Sequence, residues 1–147
     1  MSKDPLQITS VIVLLRNLDK EYLIVRRSLT DDIFPGKWQN TGGKVELGET
    51  IEAAIKREVL EEVGLELPEP LKPKFLKSYN WKKNESSPFR LGLIFLVEVP
   101  KRLKVKLCSE LCEYGWFKHS EVKALETIGQ DSPTGTMAQL TSAEYFN

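Results

Sequence analysis

The sequence predicts an α+β domain, and three observations carry that prediction. Segments rich in Ile, Val and aromatic residues occur as two pairs separated by polar turns, 7–16 with 22–25 and 75–81 with 90–99. One long stretch, 50–63, lacks Gly and Pro and repeats its apolar residues at helical spacing. At 147 residues, with 41% hydrophobic and 29% charged residues, the chain can bury one core but not two comfortable ones, so a single domain over 1–147 is expected.

The first pair is a hairpin turned at Asn17-Leu18-Asp19-Lys20 and ending on Arg26 and Arg27. A loop follows, marked by Asp31, Asp32, Pro35 and Gly36, before a short extended piece, 38–41, and a turn at Gly42-Gly43. In the helix, Ile51, Ile55, Val59 and Val63 recur every four residues, a stripe that can pack on a sheet, and Gly64 caps the C-terminus. Pro68, Pro70 and Pro73 mark a linker to the second hairpin, whose strands are joined by the polar loop KKNESSP. Beyond it, Lys104 and Lys106 alternate with apolar residues and read as protection of a sheet edge. A strand is expected at 114–117, a short helix capped by Ser120 through Leu125, and a last helix from Ser132-Pro133.

The charges exclude some functions and locate others. The 21 basic and 21 acidic residues cancel, so no global field recruits nucleic acid or an anionic membrane. No run approaches the roughly 20 apolar residues of a membrane span, and no signal peptide is visible, so a cytoplasmic protein is expected. Two cysteines, Cys108 and Cys112, and one histidine, His119, are too few for a disulfide framework or a Cys/His zinc site.

The helix 50–63 is electrostatically frustrated. Glu58, Glu61 and Glu62 fall within an arc of about 100° beside the apolar stripe. Glu58 and Glu62 are like charges at i, i+4, which costs a few tenths of a kcal/mol, and Glu61 and Glu62 lie at the negative end of the helix dipole. A solvated face of good helix formers would leave that placement unexplained. A divalent cation removes both penalties, because hard oxygen ligands on one helix face coordinate Mg²⁺ while waters and substrate phosphates complete its shell.

Residues 43–65 present Gly43, Glu49, Arg57, Glu58, Val59, Glu61, Glu62, Gly64 and Leu65 in the order G-x5-E-x7-R-E-U-x-E-E-x-G-U, with U aliphatic. This resembles the Nudix box at every defined position, and the surrounding order of strands and helices is similar to a Nudix domain over most of the chain. The resemblance implies an α/β/α sandwich with a mixed β-sheet, the box forming a loop, helix and loop. It also implies that Glu58, Glu61 and Glu62 bind metal, Mg²⁺ with Mn²⁺ as an alternative. Arg57 would pair with Glu49 and hold the loop against the helix, a task suited to a charge-assisted bidentate pair. The Gly42 carbonyl is a further candidate ligand, since a Gly-Gly turn lets backbone approach closely, and a plain tight turn is the competing reading. A P-loop is excluded, because Gly43 to Thr50 reads GKVELGET and places Glu49 where the phosphate-binding Lys must be.

Hydrolysis also needs a positioned, deprotonated water and compensation of charge on the phosphoryl oxygens. Glu110, in SELCEYGW, resembles the loop Glu that binds metal or acts as base in Nudix hydrolases, and it is preferred here to Glu113. Arg27 resembles the position from which related enzymes contact substrate phosphate, a role suited to a guanidinium, and Arg26 would face the other way. Tyr79 and Trp81, on one face of a strand, and Trp38 are candidates to stack on a base, with burial in the core as the alternative for each.

The expected activity is hydrolysis of a phosphoanhydride in a nucleoside diphosphate linked to another moiety, by a monomer or homodimer acting on a small nucleotide. By resemblance to compact members of the family, a (deoxy)nucleoside triphosphate giving monophosphate and pyrophosphate leads. ADP-ribose and dinucleoside polyphosphate hydrolases often carry a Pro or Tyr, respectively, some 15 to 18 residues beyond the box; here that interval lacks the Pro, and Tyr79 comes slightly early, 14 residues after Leu65. WQNTGG departs from the FPGG common before the box and is similar to the WQxVTG of dihydroneopterin triphosphate hydrolases. A nucleotide-sensing Nudix domain is opposed by the intact carboxylates, and an isopentenyl diphosphate isomerase by the context of the two cysteines.

Overall fold

The computed structural model describes residues 6–82, 84–122 and 124–127. In chain order these form β1 (Gln7–Arg16), β2 (Glu21–Arg27), β3 (Trp38–Gln39), β4 (Thr41–Lys44), α1 (Ile51–Val63), β5 (Lys74–Trp81), β6 (Phe89–Glu98), β7 (Leu111–Lys118) and α2 (His119–Val122). The last helix expected from Ser132-Pro133 lies outside the described residues.

The strands make one mixed sheet in the order β3-β2-β1-β6-β5, with β4 added to β1 and β7 to β2. Strand β1 is central and buried on both faces, which is why it reads as a nearly continuous apolar run. Val11, Val13 and Leu15 face one core with α1, whereas Leu14 faces a second with Tyr22, Ile24, Trp38 and Val122 of α2. Helices thus cover both faces, which gives the α/β/α sandwich with a mixed sheet that the resemblance implied.

One edge of β1 runs parallel to β6 along its full length, from Gln7 opposite Phe89 to Arg16 opposite Glu98. Its other edge is shared. Residues 10–13 face β4, and β2 meets β1 only where Arg16 opposes Tyr22. The first hairpin is therefore pinned at its turn and splays beyond it, and the splay opens a cleft at the far end.

Helix α1 is built as its sequence predicts. The Thr50 side chain accepts from the Ala53 N–H at its start, and Gly64 closes its end in the left-handed region at φ 68°. Ala54, Ile55, Val59 and Val63 are buried.

Four expectations are corrected. Gly42-Gly43 is strand rather than turn, because here the backbone must lie close to its neighbours: a Cβ on Gly42 would stand 2.2 Å from the Val11 carbonyl oxygen. The piece 38–41 is two short strands broken at Asn40. Lys104 and Lys106 border no sheet edge; their segment is a loop docked on the end of α1 by Lys106 N–H to Val63 O (2.9 Å) and Cys108 N–H to Glu62 O (3.0 Å), which satisfies carbonyls the helix leaves open. The short helix starts at His119, so Ser120 lies within it and does not cap it.

Candidate active site

The cleft has a volume of about 590 Å³ and is lined by Ser10, Val11 and Ile12 of β1, Gly42 and Gly43 of β4, Glu58, Glu61 and Glu62 of α1, Arg27, Gln39, Asn40, Trp81 and residues 108–110. Helix α1 crosses β4 so that its two inward glutamates meet the strand at different residues. Glu58 lies over Gly43, where a Cβ would come within 2.5 Å of its carboxylate, so only glycine leaves it room. Glu62 accepts from Thr41 Oγ1 (2.8 Å) and the Gly42 N–H (2.7 Å), both on Oε1.

These carboxylates are costly to ionise. Burial pushes the Glu62 pKa up to about 7, against its two hydrogen bonds, with the charges of Glu58 and Glu110 adding to the rise. Burial also raises Glu58, which the Arg57 guanidinium partly offsets. Glu61 is largely exposed, with 59% of its side chain accessible.

Arg57 organises the helix side. Its Nε and Nη2 donate to the two oxygens of Glu49 at 2.8 and 2.9 Å, Nη2 also donates to the Lys44 carbonyl (2.9 Å), and Nη1 donates to Glu58 (2.9 Å) and Glu61 (3.3 Å). One guanidinium thus ties the loop before α1 to the strand and to two acids. The pairing lowers Glu49 to about 2 and raises Arg57.

Across the cleft, a β-bulge between Arg26 and Arg27 separates the two arginines. Arg26 turns away, its guanidinium 5.9 Å from the Trp38 ring centroid and bonded to Gly36 O and Glu113. Arg27 enters the cleft wall, donating to Ile33 O (2.7 Å), Gln39 Oε1 (3.3 Å) and Asp31 (2.9 Å). Glu110 is exposed at the rim, carried there by the loop docked on α1 and fixed just beyond the end of β2 by Ser28 N–H to Glu110 O (3.0 Å).

Of the three aromatic candidates, Trp81 alone lines the cleft, with the Arg90 guanidinium 5.2 Å from its ring. Trp38 and Tyr79 are placed elsewhere. Trp38 is 9% exposed, set edge-on against Phe117 at 5.5 Å, and Tyr79 packs on the same second core. Their apolar surface is used by the core, which corrects the expectation for both. Thr41, Gln39 and Asp31 were missed by the sequence reading: the fold brings Glu62 of α1 to Thr41 and Arg27 of β2 to Gln39, and Asp31, only four residues from Arg27, sits among loop breakers and reads as a turn residue.

Among the described residues no three acidic side chains already close on one point as a metal cage. Glu58 and Glu61 instead share the Arg57 guanidinium. The donor set nevertheless suits a hard divalent cation: the carboxylates of Glu58, Glu61, Glu62 and Glu110, the first and third with pKa raised by burial, line one cleft open to solvent.

A mixed sheet between helical layers, with a glutamate-bearing helix capping a splayed strand pair, defines a class of cleft suited to anionic, cation-bound substrates. The NUDIX domain model matches residues 6–137, and the chain belongs to that family, whose hydrolases cleave phosphoanhydride bonds. The nucleoside triphosphatase NudI of Escherichia coli O139:H28 is 33% identical over 121 residues, covering 79% of this chain and 85% of that protein. The m7GpppN-mRNA hydrolase NUDT17 of Xenopus laevis is 48% identical over 59 residues, 40% of this chain, a match that spans only 20% of the frog protein. The crystal structure of a MutT protein from Methanosarcina mazei Go1 superposes with a TM-score of 0.67 at 30% identity, covering 86% of this chain and 87% of that one.

Proposed function

We propose that the protein hydrolyses a (deoxy)nucleoside triphosphate to the monophosphate and pyrophosphate with Mg²⁺ as cofactor. The observation that carries this reading is the meeting of Glu58, Glu61, Glu62 and Glu110 with Arg27 around one open cleft. The similarity to a nucleoside triphosphatase over most of both chains supports the substrate class.

Glu58, Glu61 and Glu62 would hold the cation, with Glu110 and the Gly42 carbonyl as further candidate ligands. The bound ion supplies Lewis acidity and neutralises charge on the phosphate oxygens. Arg27 uses three of its five N–H donors on Ile33, Gln39 and Asp31, which leaves two for a phosphate oxygen of substrate and fixes their direction. Trp81 at the rim offers a ring face to the base. Glu110 or a glutamate of α1 takes the proton from the attacking water.

The test is release of phosphate across nucleoside triphosphates, nucleotide sugars, dinucleoside polyphosphates and dihydroneopterin triphosphate, with Mg²⁺ and with chelator, coupled to pyrophosphatase for pyrophosphate products and, for the nucleotide sugars and dinucleoside polyphosphates, to a phosphatase that acts on the terminal phosphates their cleavage exposes. Chelator-sensitive turnover that requires the coupling pyrophosphatase is expected for a nucleoside triphosphate. Binding without turnover on every compound would instead identify a nucleotide sensor.

A further inference from the structure

The two inward glutamates of α1 are supported by different means. Four residues of helix advance about 6 Å and two of strand about 6.6 Å, so an antiparallel crossing brings Glu58 and Glu62 over Gly43 and Thr41 in step. Gly43 gives Glu58 space; Thr41 gives Glu62 a donor. Thr41 is 1% exposed and opposes Val13 in the sheet, so its hydroxyl has little freedom to turn to water. Both donors to Glu62, Thr41 Oγ1 and the Gly42 N–H, meet the same oxygen, Oε1. Two donors on one oxygen fix the carboxylate plane and leave Oε2 as the oxygen presented to a ligand in the cleft.

The geometry points to Thr41 as a positioning residue for cation binding: its hydroxyl orients Glu62 so that Oε2 is held toward the cleft. Every residue but proline keeps the backbone donor, which makes Thr41 the adjustable half of the pair. This inference rests on the reading of Glu62 as a cation ligand.

Thr41→Ser and Thr41→Ala both lose the buried methyl and differ only in the hydroxyl, so their comparison isolates the hydrogen bond. Mn²⁺ affinity, read by electron paramagnetic resonance of the free ion, is measured for the wild type and both variants beside their thermal melts. The expected result is affinity weakened roughly tenfold in Thr41→Ala and restored to near wild type in Thr41→Ser. Equal Mn²⁺ affinity in the two variants overturns the role of Thr41, as does a loss in Thr41→Ala that Thr41→Ser shares in full. If the wild type binds no Mn²⁺, the cation reading of the cleft fails and the role of Thr41 fails with it. If Thr41→Ala melts below the assay temperature while Thr41→Ser does not, the titration is run below its melt, where the same criterion applies.

Discussion

Glu21, outside the cleft, shows how a buried acid is held when no ligand is involved. Asn17 Nδ2 and Arg102 Nε donate to its Oε1 at 3.0 and 2.9 Å, and Arg102 Nη2 donates to Oε2. Arg102 above all holds its pKa down to about 2, from an ordinary 4.5. A lowered pKa in the folded state means that stability from this group is present above about pH 4.5 and is lost as pH falls through about 2. Glu21→Gln should therefore lower the urea midpoint at pH 7, with the gap from wild type closing as the pH approaches 2. A gap unchanged at pH 2 would assign the effect to shape rather than charge. Nothing in the sequence marked Glu21, because Arg102 lies 81 residues away and local patterning carries no such information. Glu58, Glu61 and Glu62 were legible for the opposite reason: their clustering violates a local rule on one helix, where spacing alone reveals it.

Among the elements, α1 and β4 carry the proposed site, and the two glycines of β4 have separable roles. A Cβ at Gly42 would strike the Val11 backbone, which cannot yield cheaply, so Gly42→Ala should lower stability by about 1–3 kcal/mol, measured by urea unfolding. At Gly43 the obstacle is the end of the Glu58 side chain, which can swing aside. Gly43→Ala should thus melt close to wild type yet lose most turnover, and full activity in that variant would remove Glu58 from the site. The helix was readable to within a residue because its cap, stripe and Gly64 stop agree with one another. Strand β4 was not, since a Gly-Gly pair reads as a turn unless the close approach of β1 and α1 is known. Loop 101–110 failed similarly: alternating Lys and apolar residues suggested an edge strand, but their backbone is claimed by the last carbonyls of α1.

For the whole molecule, the parallel alignment of β1 with β6 sets the architecture, and it joins segments more than 80 residues apart in sequence. Hairpins are visible locally; parallel pairing is not, and only the resemblance of the box implied a mixed sheet. The sheet buries Trp38 and Tyr79 in its second core, so two of three aromatic candidates were absorbed by packing that periodicity does not distinguish from a binding platform. The formal charge of the chain sums to zero, so the acidity of the cleft is local and a cation should act there. Millimolar Mg²⁺ should raise the melting temperature by binding the folded state alone, and the rise should vanish with chelator. A melting temperature indifferent to Mg²⁺ and Mn²⁺ would count against a cation in the cleft.

Glu61 is the exposed member of the glutamate cluster and, among the described residues, its side chain bonds to Arg57, so its removal tests chemistry with little cost to packing. The decisive measurement is pyrophosphate release from a nucleoside triphosphate at saturating Mg²⁺ by wild type and Glu61→Gln, each checked by its thermal melt. The expected outcome is a folded variant with the wild-type melt and a turnover at least about 100-fold lower. A folded Glu61→Gln enzyme running at the wild-type rate would show that the glutamate cluster of α1 does not carry the reaction as proposed.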